Sequence, residues 1–190
     1  MRRVVVSEYV SLDGVVEAPG PVGEFEHAGW TRPYWNDEMA QFKFDELFAS
    51  DALLLGRRTY QEFAAAWPSR TDESGFADRM NSIPKYVVTT TLEEAAWSNS
   101  RLIDENVVDE ILELKQQPGL ELLIVGSGEL VNSLMPHELI DEFRFAVYPL
   151  VLGSGKRLFR APAKTPLTLV QARTFSSGVA LLTYEPNSSR

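Results

Sequence analysis

Cysteine is absent from the 190 residues. That removes disulfides, zinc–thiolate centres, iron–sulfur clusters and thiol nucleophiles in one step. Histidine is nearly absent: His27 and His137 are the two present. Neither stands at a telling spacing from a second metal ligand or a nucleophile, so no metal site is expected. Basic charge is scarce. Eighteen Lys and Arg face 27 Asp and Glu, a formal net charge of −9. A field of that sign opposes binding to nucleic acid and to anionic membranes, while leaving room for a local cationic pocket. Long apolar runs are missing as well. The first, from Val4, stops at Ser7-Glu8, too short for a signal peptide or a membrane span. The expectation is a cytoplasmic protein with neither nucleic-acid nor membrane partners.

What is present is ordinary globular material, 44% apolar and 24% charged, enough for one domain with a full core. One domain over residues 1–186 with a flexible tail at 187–190 is expected. Val4-Val5-Val6, Ala52–Leu55, Tyr86–Val88 and Leu122–Val125 are short apolar runs with little alternation, the pattern of strands covered on both faces. Helical patterns separate most of them. Residues 36–50 place Ala40, Phe44, Leu47 and Phe48 on one face, with Asn36 or Asp37 as cap. Thr59-Tyr60-Gln61-Glu62 has the form of a capping box. Residues 106–117 make a further helix, stopped by Pro118-Gly119, and a short one runs from about Gly128 to Met135. Such alternation implies parallel crossovers. The last third changes character. Phe143, Phe145 and Val147 alternate with polar or small neighbours, and Ser176-Ser177-Gly178 turns one strand into the next as a hairpin. Residues 15–35 and 68–84 read as irregular loops.

Two segments follow a buried strand and open a helix. Val125-Gly126-Ser127-Gly128-Glu129-Leu130 is one. Small residues let a backbone approach a pyrophosphate at a helix start, although the same glycines serve a plain turn, and Val131 breaks the G-x-G-x-x-G pattern. Gly56-Arg57-Arg58-Thr59 is the other, with two guanidinium groups suited to phosphate or simply solvated. Thr89-Thr90-Thr91 ends a third strand. Ser11-Leu12-Asp13-Gly14 is a turn after the first strand, or a loop over a cofactor ring. Trp30 and Trp35 offer flat surfaces for a substrate, or loop packing. The glycine-rich loop 149–159 brings Leu152 and Gly153 as further substrate contacts, or serves as a structural corner.

Taken in order, the SLDG, LLGRRTY, VGSGEL and PLVLGSGKRLF segments resemble the C-terminal reductase domain of the riboflavin-biosynthesis deaminase-reductase proteins, a branch of the dihydrofolate-reductase-like superfamily. The likeness spans about residues 2–185, and no deaminase half is expected, since there is no cysteine for its zinc. It implies an α/β fold of three layers, α/β/α, around a mixed, mostly parallel eight-stranded sheet that ends in an antiparallel hairpin. It implies NADPH as hydride donor and a homodimer. By that resemblance the Val125–Leu130 turn holds the pyrophosphate, Gly56–Thr59 with Thr89, Thr90 and Thr91 surrounds the adenosine 2′-phosphate, and Ser11, Leu12 and Gly14 lie near the nicotinamide. The implied activity is hydride transfer to 5-amino-6-(5-phosphoribosylamino)uracil or another small heterocycle. The alternative is a non-catalytic NADPH-binding or sensor protein. Dihydrofolate reductase itself holds its pterin with an acidic residue on the first helix. That position falls near Ala40 here, so folate reduction is not expected. If a side chain rather than water donates the proton, Asp13 and Glu38 are the candidates.

Overall fold

The structure is a computed structural model that describes residues 1–21, 23–160 and 164–187. Residues 188–190, most of the tail expected to be flexible, lie outside the described residues. The helical and extended elements follow one another as β1 (Val4–Ser11), α1 (Asp37–Phe48), β2 (Ser50–Gly56), α2 (Arg57–Ala66), α3 (Phe76–Ser82), β3 (Lys85–Val88), β4 (Ser100–Ile103), α4 (Val107–Gln116), β5 (Glu121–Val125), α5 (Gly128–Leu134), β6 (Glu142–Tyr148), β7 (Leu167–Thr174) and β8 (Ala180–Pro186). The strands form one sheet in the order β4-β3-β2-β5-β1-β6-β8-β7. The first six of that order run parallel, and β8 and β7 close the sheet antiparallel. The mixed, mostly parallel sheet with a terminal hairpin is therefore the architecture expected from the sequence.

The apolar runs occupy the sheet's middle because both faces there are covered. Val4, Val5 and Val6 of β1 are fully buried, as are Leu53, Leu54 and Leu55 of β2. Each such side chain contributes roughly 1.5–3 kcal/mol relative to leaving it in water. Alternate residues serve opposite faces. Val4 and Val6 pack with Leu130, Val131 and Leu134 of α5, while Val5 packs with Leu47 of α1. α1 and α5 thus lie on opposite sides. The chain leaves β1 for β2 in one direction and β5 for β6 in the other, so neighbours β5 and β1 flank the point where the winding reverses. In open α/β sheets that fork, outside the carboxyl ends of the strands, is where ligands bind.

Three local expectations are corrected. Helix α1 is capped by Asn36, whose side chain accepts from the Met39 N–H at 3.0 Å, but its buried face is Met39, Lys43, Glu46 and Leu47. Ala40 and Phe48 face outward, and Phe44 and Phe48 stack on each other at 4.2 Å between centroids. Lys43 and Glu46 can take the inner face because they pair with each other. The capping box at Thr59 does not form: α2 begins at Arg57, with Gly56 as its N-cap. The segment 68–84 is not wholly irregular, for it contains α3, whose first turn is tied down by Asp72 accepting from the N–H groups of Phe76 at 3.0 Å and Ala77 at 2.6 Å. Among the described residues, no helix is long and apolar enough to cross a membrane.

Candidate functional site

Three strand ends are sewn together at one end of the sheet. Where β5 stops, Gly126 and Ser127 both take left-handed backbone angles, φ 59° and 63°. This puts the Ser127 side chain against β2: the Gly56 N–H donates to Ser127 Oγ at 2.9 Å. In return, the Ser127 N–H donates to Thr59 Oγ1 at 3.1 Å. That bond explains the missing capping box, since the Thr59 hydroxyl serves a neighbouring loop instead of its own helix. It also explains the glycine. A Cβ at position 126 would lie 3.2 Å from Thr59 Oγ1, in a backbone conformation that disfavours side chains. The third strand end joins through Arg57, whose Nη1 donates to Thr91 Oγ1 at 2.8 Å. Thr89 folds the chain back by accepting from the N–H groups of Thr91 and Leu92 at 3.1 and 3.0 Å.

These loops wall a cleft of about 2150 Å³, room for a dinucleotide and a second small molecule. Gly56, Arg57, Arg58 and Thr59 line it, as do Thr89, Thr90, Thr91 and the whole of Val125 to Leu130. The structure thus brings together the residues expected for pyrophosphate and 2′-phosphate. Lys156 and Arg160 add cationic ends to those of Arg57 and Arg58. Arg160 is shared with Glu129 at 2.7 Å and Lys156 with Glu17 at 3.7 Å. Phe63, Trp67 and Phe76 supply an aromatic wall on the α2–α3 side. Trp35 lines the cleft and is half exposed.

The other expected residues lie elsewhere. Trp30 is buried against Tyr148, edge to face at 5.2 Å. Ser11, Leu12 and Gly14 border a separate hollow of about 350 Å³ together with Phe145, Arg157 and Phe159. Leu152 and Gly153 line neither space; their N–H groups donate to Asp13 at 3.1 and 2.9 Å. Asp13 also accepts from Ser11 Oγ at 2.7 Å, and these bonds, the Ser11 hydroxyl foremost, hold its carboxyl down at about 2. Asp13 is therefore a clamp between the first turn and the 149–153 loop, ionised and turned from the cleft. Glu38 accepts from the Ser176 hydroxyl and its N–H, the latter at 2.7 Å. These bonds hold its carboxyl below the usual range. It fastens α1 to the β7–β8 turn. Neither surrounding suits a proton donor at neutral pH.

The clamp gives a testable outcome. The Asp13 carboxyl titrates below its ordinary 3.8 in the folded chain, so its contribution is present above that value and lost as pH falls through about 2. Asp13→Asn should lower Tm at pH 7, and the gap from wild type should narrow between pH 4 and pH 2 in a calorimetric pH series. A gap that stays constant over that range would contradict the clamp.

Sequence reasoning passed over three buried charged residues that line the cleft: Glu8, Lys43 and Glu46. Ser7-Glu8 had marked the end of an apolar run, yet β1 continues through both. Lys43 Nζ donates to Ser7 Oγ at 3.0 Å and to Glu46, and Arg144 on β6 reaches Glu46 at 3.5 Å. The available signal was a pair of polar residues interrupting a valine strand in its middle, which a covered strand tolerates only for a reason.

Comparison with known proteins bears on the family and the fold. The family model described as the RibD C-terminal domain matches residues 2–181. The uncharacterized protein YyaP of Bacillus subtilis (strain 168) is 32% identical over 190 residues, covering 98% of this chain and 96% of that protein. The uncharacterized protein YwjB of the same organism is 30% identical, covering 95% and 96%. Among solved structures, a Shewanella sp. PV-4 protein assigned to riboflavin biosynthesis superposes with a TM-score of 0.76 at 22% identity, covering 97% of this chain and 99% of that one. Dihydrofolate reductase from Enterococcus faecalis, solved with NADP(H) and RAB-propyl, superposes with a TM-score of 0.58 at 15% identity, covering 98% and 97%. The fold is dihydrofolate-reductase-like, and by sequence this chain belongs to the RibD C-terminal domain family.

Proposed function

We propose that the protein is an NADPH-dependent reductase acting on a small polar heterocycle, with 5-amino-6-(5-phosphoribosylamino)uracil as the first substrate to try. One observation carries the reading: three strand-end loops converge on a single cleft at the reversal point of the sheet, with Arg57 and Arg58 on its lining. The family supports a reductase, and the dinucleotide in the E. faecalis enzyme supports the cofactor class.

The residues present fit the dinucleotide. Gly126 lets the Thr59 side chain pack against the turn where a Cβ would stand 3.2 Å from its Oγ1, which fixes the Val125 to Leu130 backbone in the cleft wall beside Arg57 and Arg58. Val125 to Leu130 would hold the pyrophosphate, and Arg57, Arg58 and Thr89 to Thr91 would surround the 2′-phosphate. When bound, the cofactor supplies the hydride. The chain's contribution is to fix positions and exclude water, which is where most of the acceleration in such transfers arises. Trp35 and the Phe63–Trp67–Phe76 wall would take the flat faces of the substrate or the adenine.

NADPH should quench the fluorescence of the cleft tryptophans Trp35 and Trp67 and raise Tm. If it does neither, the reading fails. Binding without turnover on any pyrimidine substrate would favour a sensor. Replacing Arg57 and Arg58 by Ala should weaken NADPH by more than about tenfold, since a hydrogen bond to a charged group contributes roughly 1.5–3 kcal/mol, while NADH changes little. Equal losses for both dinucleotides would remove the 2′-phosphate from this place. The same reading takes the protein as a homodimer in the cytoplasm. Strand β7 supports a partner copy: it is an edge strand exposed along nearly its whole length, with Leu169 and Val170 half exposed. Sedimentation equilibrium tests that.

A further inference from the structure

Glu8 is the buried group the reading above leaves unused. Strands β1 and β5 pair as far as Ser7 opposite Val125. One residue later β5 turns away at Gly126, so Glu8 sits at the mouth of the fork, flanked on its other side by Phe145 of β6. Its residue is 5% exposed, yet it lines the cleft. Its Oε1 is buried with no hydrogen-bond partner among the described residues. A carboxyl oxygen left bare in a ligand cleft is costly unless a ligand, or a proton, uses it.

The charges around it do not relieve this. By strand alternation Glu8 shares a face with Val4 and Val6, whereas Lys43 lies on the Ser7 face and is committed to Ser7 and Glu46. Glu46 and Arg144 pair with each other, and Arg144 also holds Glu121 and Glu142. Glu129, from the facing turn, pairs with Arg160. The Tyr9 hydroxyl, next along β1, stays protonated, its own ionisation opposed by burial first and then by Glu46 and Glu8. Among the described residues, Lys43 is the one charge that favours the Glu8 carboxylate, and burial outweighs it.

We propose that Glu8 is the catalytic acid of the reduction, delivering a proton to the heteroatom of a neutral C=N or C=O acceptor held in the fork between β1 and β5. This rests on the reductase reading. The acceptor carbon gains hydride from the reduced nicotinamide dinucleotide, and the π pair of the double bond moves to the heteroatom. That atom forms a bond to the Glu8 proton as the carboxyl O–H breaks. Glu8 is left as a carboxylate and is reprotonated by water between turnovers. Burial holds its carboxyl at about 8, well above the ordinary 4.5, so it carries the proton at neutral pH, unlike Asp13. The chemistry also sets the substrate class: a polar double bond whose heteroatom must be protonated, as in an imine or carbonyl form of an aminopyrimidine sugar.

Two measurements on the intact protein test this. Infrared difference spectra of wild type minus Glu8→Gln should show a protonated carboxyl at pH 6 that disappears as pH rises through about 8. No such band would overturn the proposal. With NADPH and 5-amino-6-(5-phosphoribosylamino)uracil, Glu8→Gln should lower kcat about 100-fold and leave KM and the NADPH Kd within about threefold. Wild-type kcat should fall above pH 8, and the variant's should not. An E8Q protein as active as wild type, or one that loses NADPH affinity but keeps kcat, overturns the assignment of Glu8 alone. A wild type that binds NADPH and reduces none of the pyrimidine acceptors overturns the reductase reading, and this proposal with it.

Discussion

Glu46→Leu should cost about 3–5 kcal/mol of folding stability, the range for breaking a buried ion pair from one side. The Glu46 residue is 3% exposed and Lys43 9%. Removing the carboxylate leaves the Lys43 ammonium, on a residue 9% exposed, with one hydroxyl, Ser7 Oγ. Arg144 loses less, because Glu121 at 2.8 Å and Glu142 at 2.5 Å still hold it. The double variant Lys43→Met, Glu46→Leu should recover most of the loss, since an apolar pair of similar volume removes the stranded charge as well. Urea unfolding of the two singles and the double, at pH 7, closes the cycle. The exposed pair Arg101–Glu110 sets the scale for contrast: Glu110→Ala should change stability by about 0–1 kcal/mol. A loss of that small size for Glu46→Leu would mean that water reaches Lys43 and that the charged face of α1 is not a buried face in solution.

That face also shows where sequence reasoning reached its limit. Apolar residues at helical spacing pointed to Ala40, Phe44, Leu47 and Phe48, and only Leu47 is buried among them. The helix is rotated so that a mutually neutralised lysine and glutamate face the sheet, and no pattern of single residues announces a pair that cancels. The strands were legible for the opposite reason. β1, β2, β3 and β5 are covered on both sides, so composition alone betrays them, whereas the edge strand β4, Ser-Arg-Leu-Ile, pairs on one side only and carries no such apolar run. Of the site, the glycine and arginine turns were legible because close backbone approach demands particular residue types. Asp13 and Glu38 looked like acids because nothing local reveals a partner 139 or 138 residues away. Glu8 looked like the end of a strand for the same reason, seen from the other side: its significance is the absence of partners, which only the packed chain displays.

The absence has a thermodynamic signature that does not depend on any ligand. In the unfolded chain Glu8 ionises near 4.5, and in the folded chain near 8. Below the first value both states hold the proton, so pH has no effect through this group. Between the two values the folded state alone binds it, and stability falls as pH rises, by about 1.4 kcal/mol per pH unit. Above the second value both are ionised, and the penalty is complete, on the order of 4–5 kcal/mol. Glu8→Gln keeps the shape and removes the titration. Its stability should match wild type near pH 5 and exceed it by several kcal/mol at pH 8, read from urea midpoints at constant m-value. Lys85 does not confuse the comparison: burial lowers its ammonium from 10.5 to about 8. The folded state therefore binds fewer protons than the unfolded one between those two values, and its effect has the opposite sign and lies above the window. It is also common to both proteins. Parallel stability curves for wild type and Glu8→Gln from pH 5 to pH 8 would mean that the carboxylate finds water or a cation in the fork. The proton assigned to it would then be gone at neutral pH. A difference that opens with pH over that interval would place one stored proton at the point where β1 and β5 part.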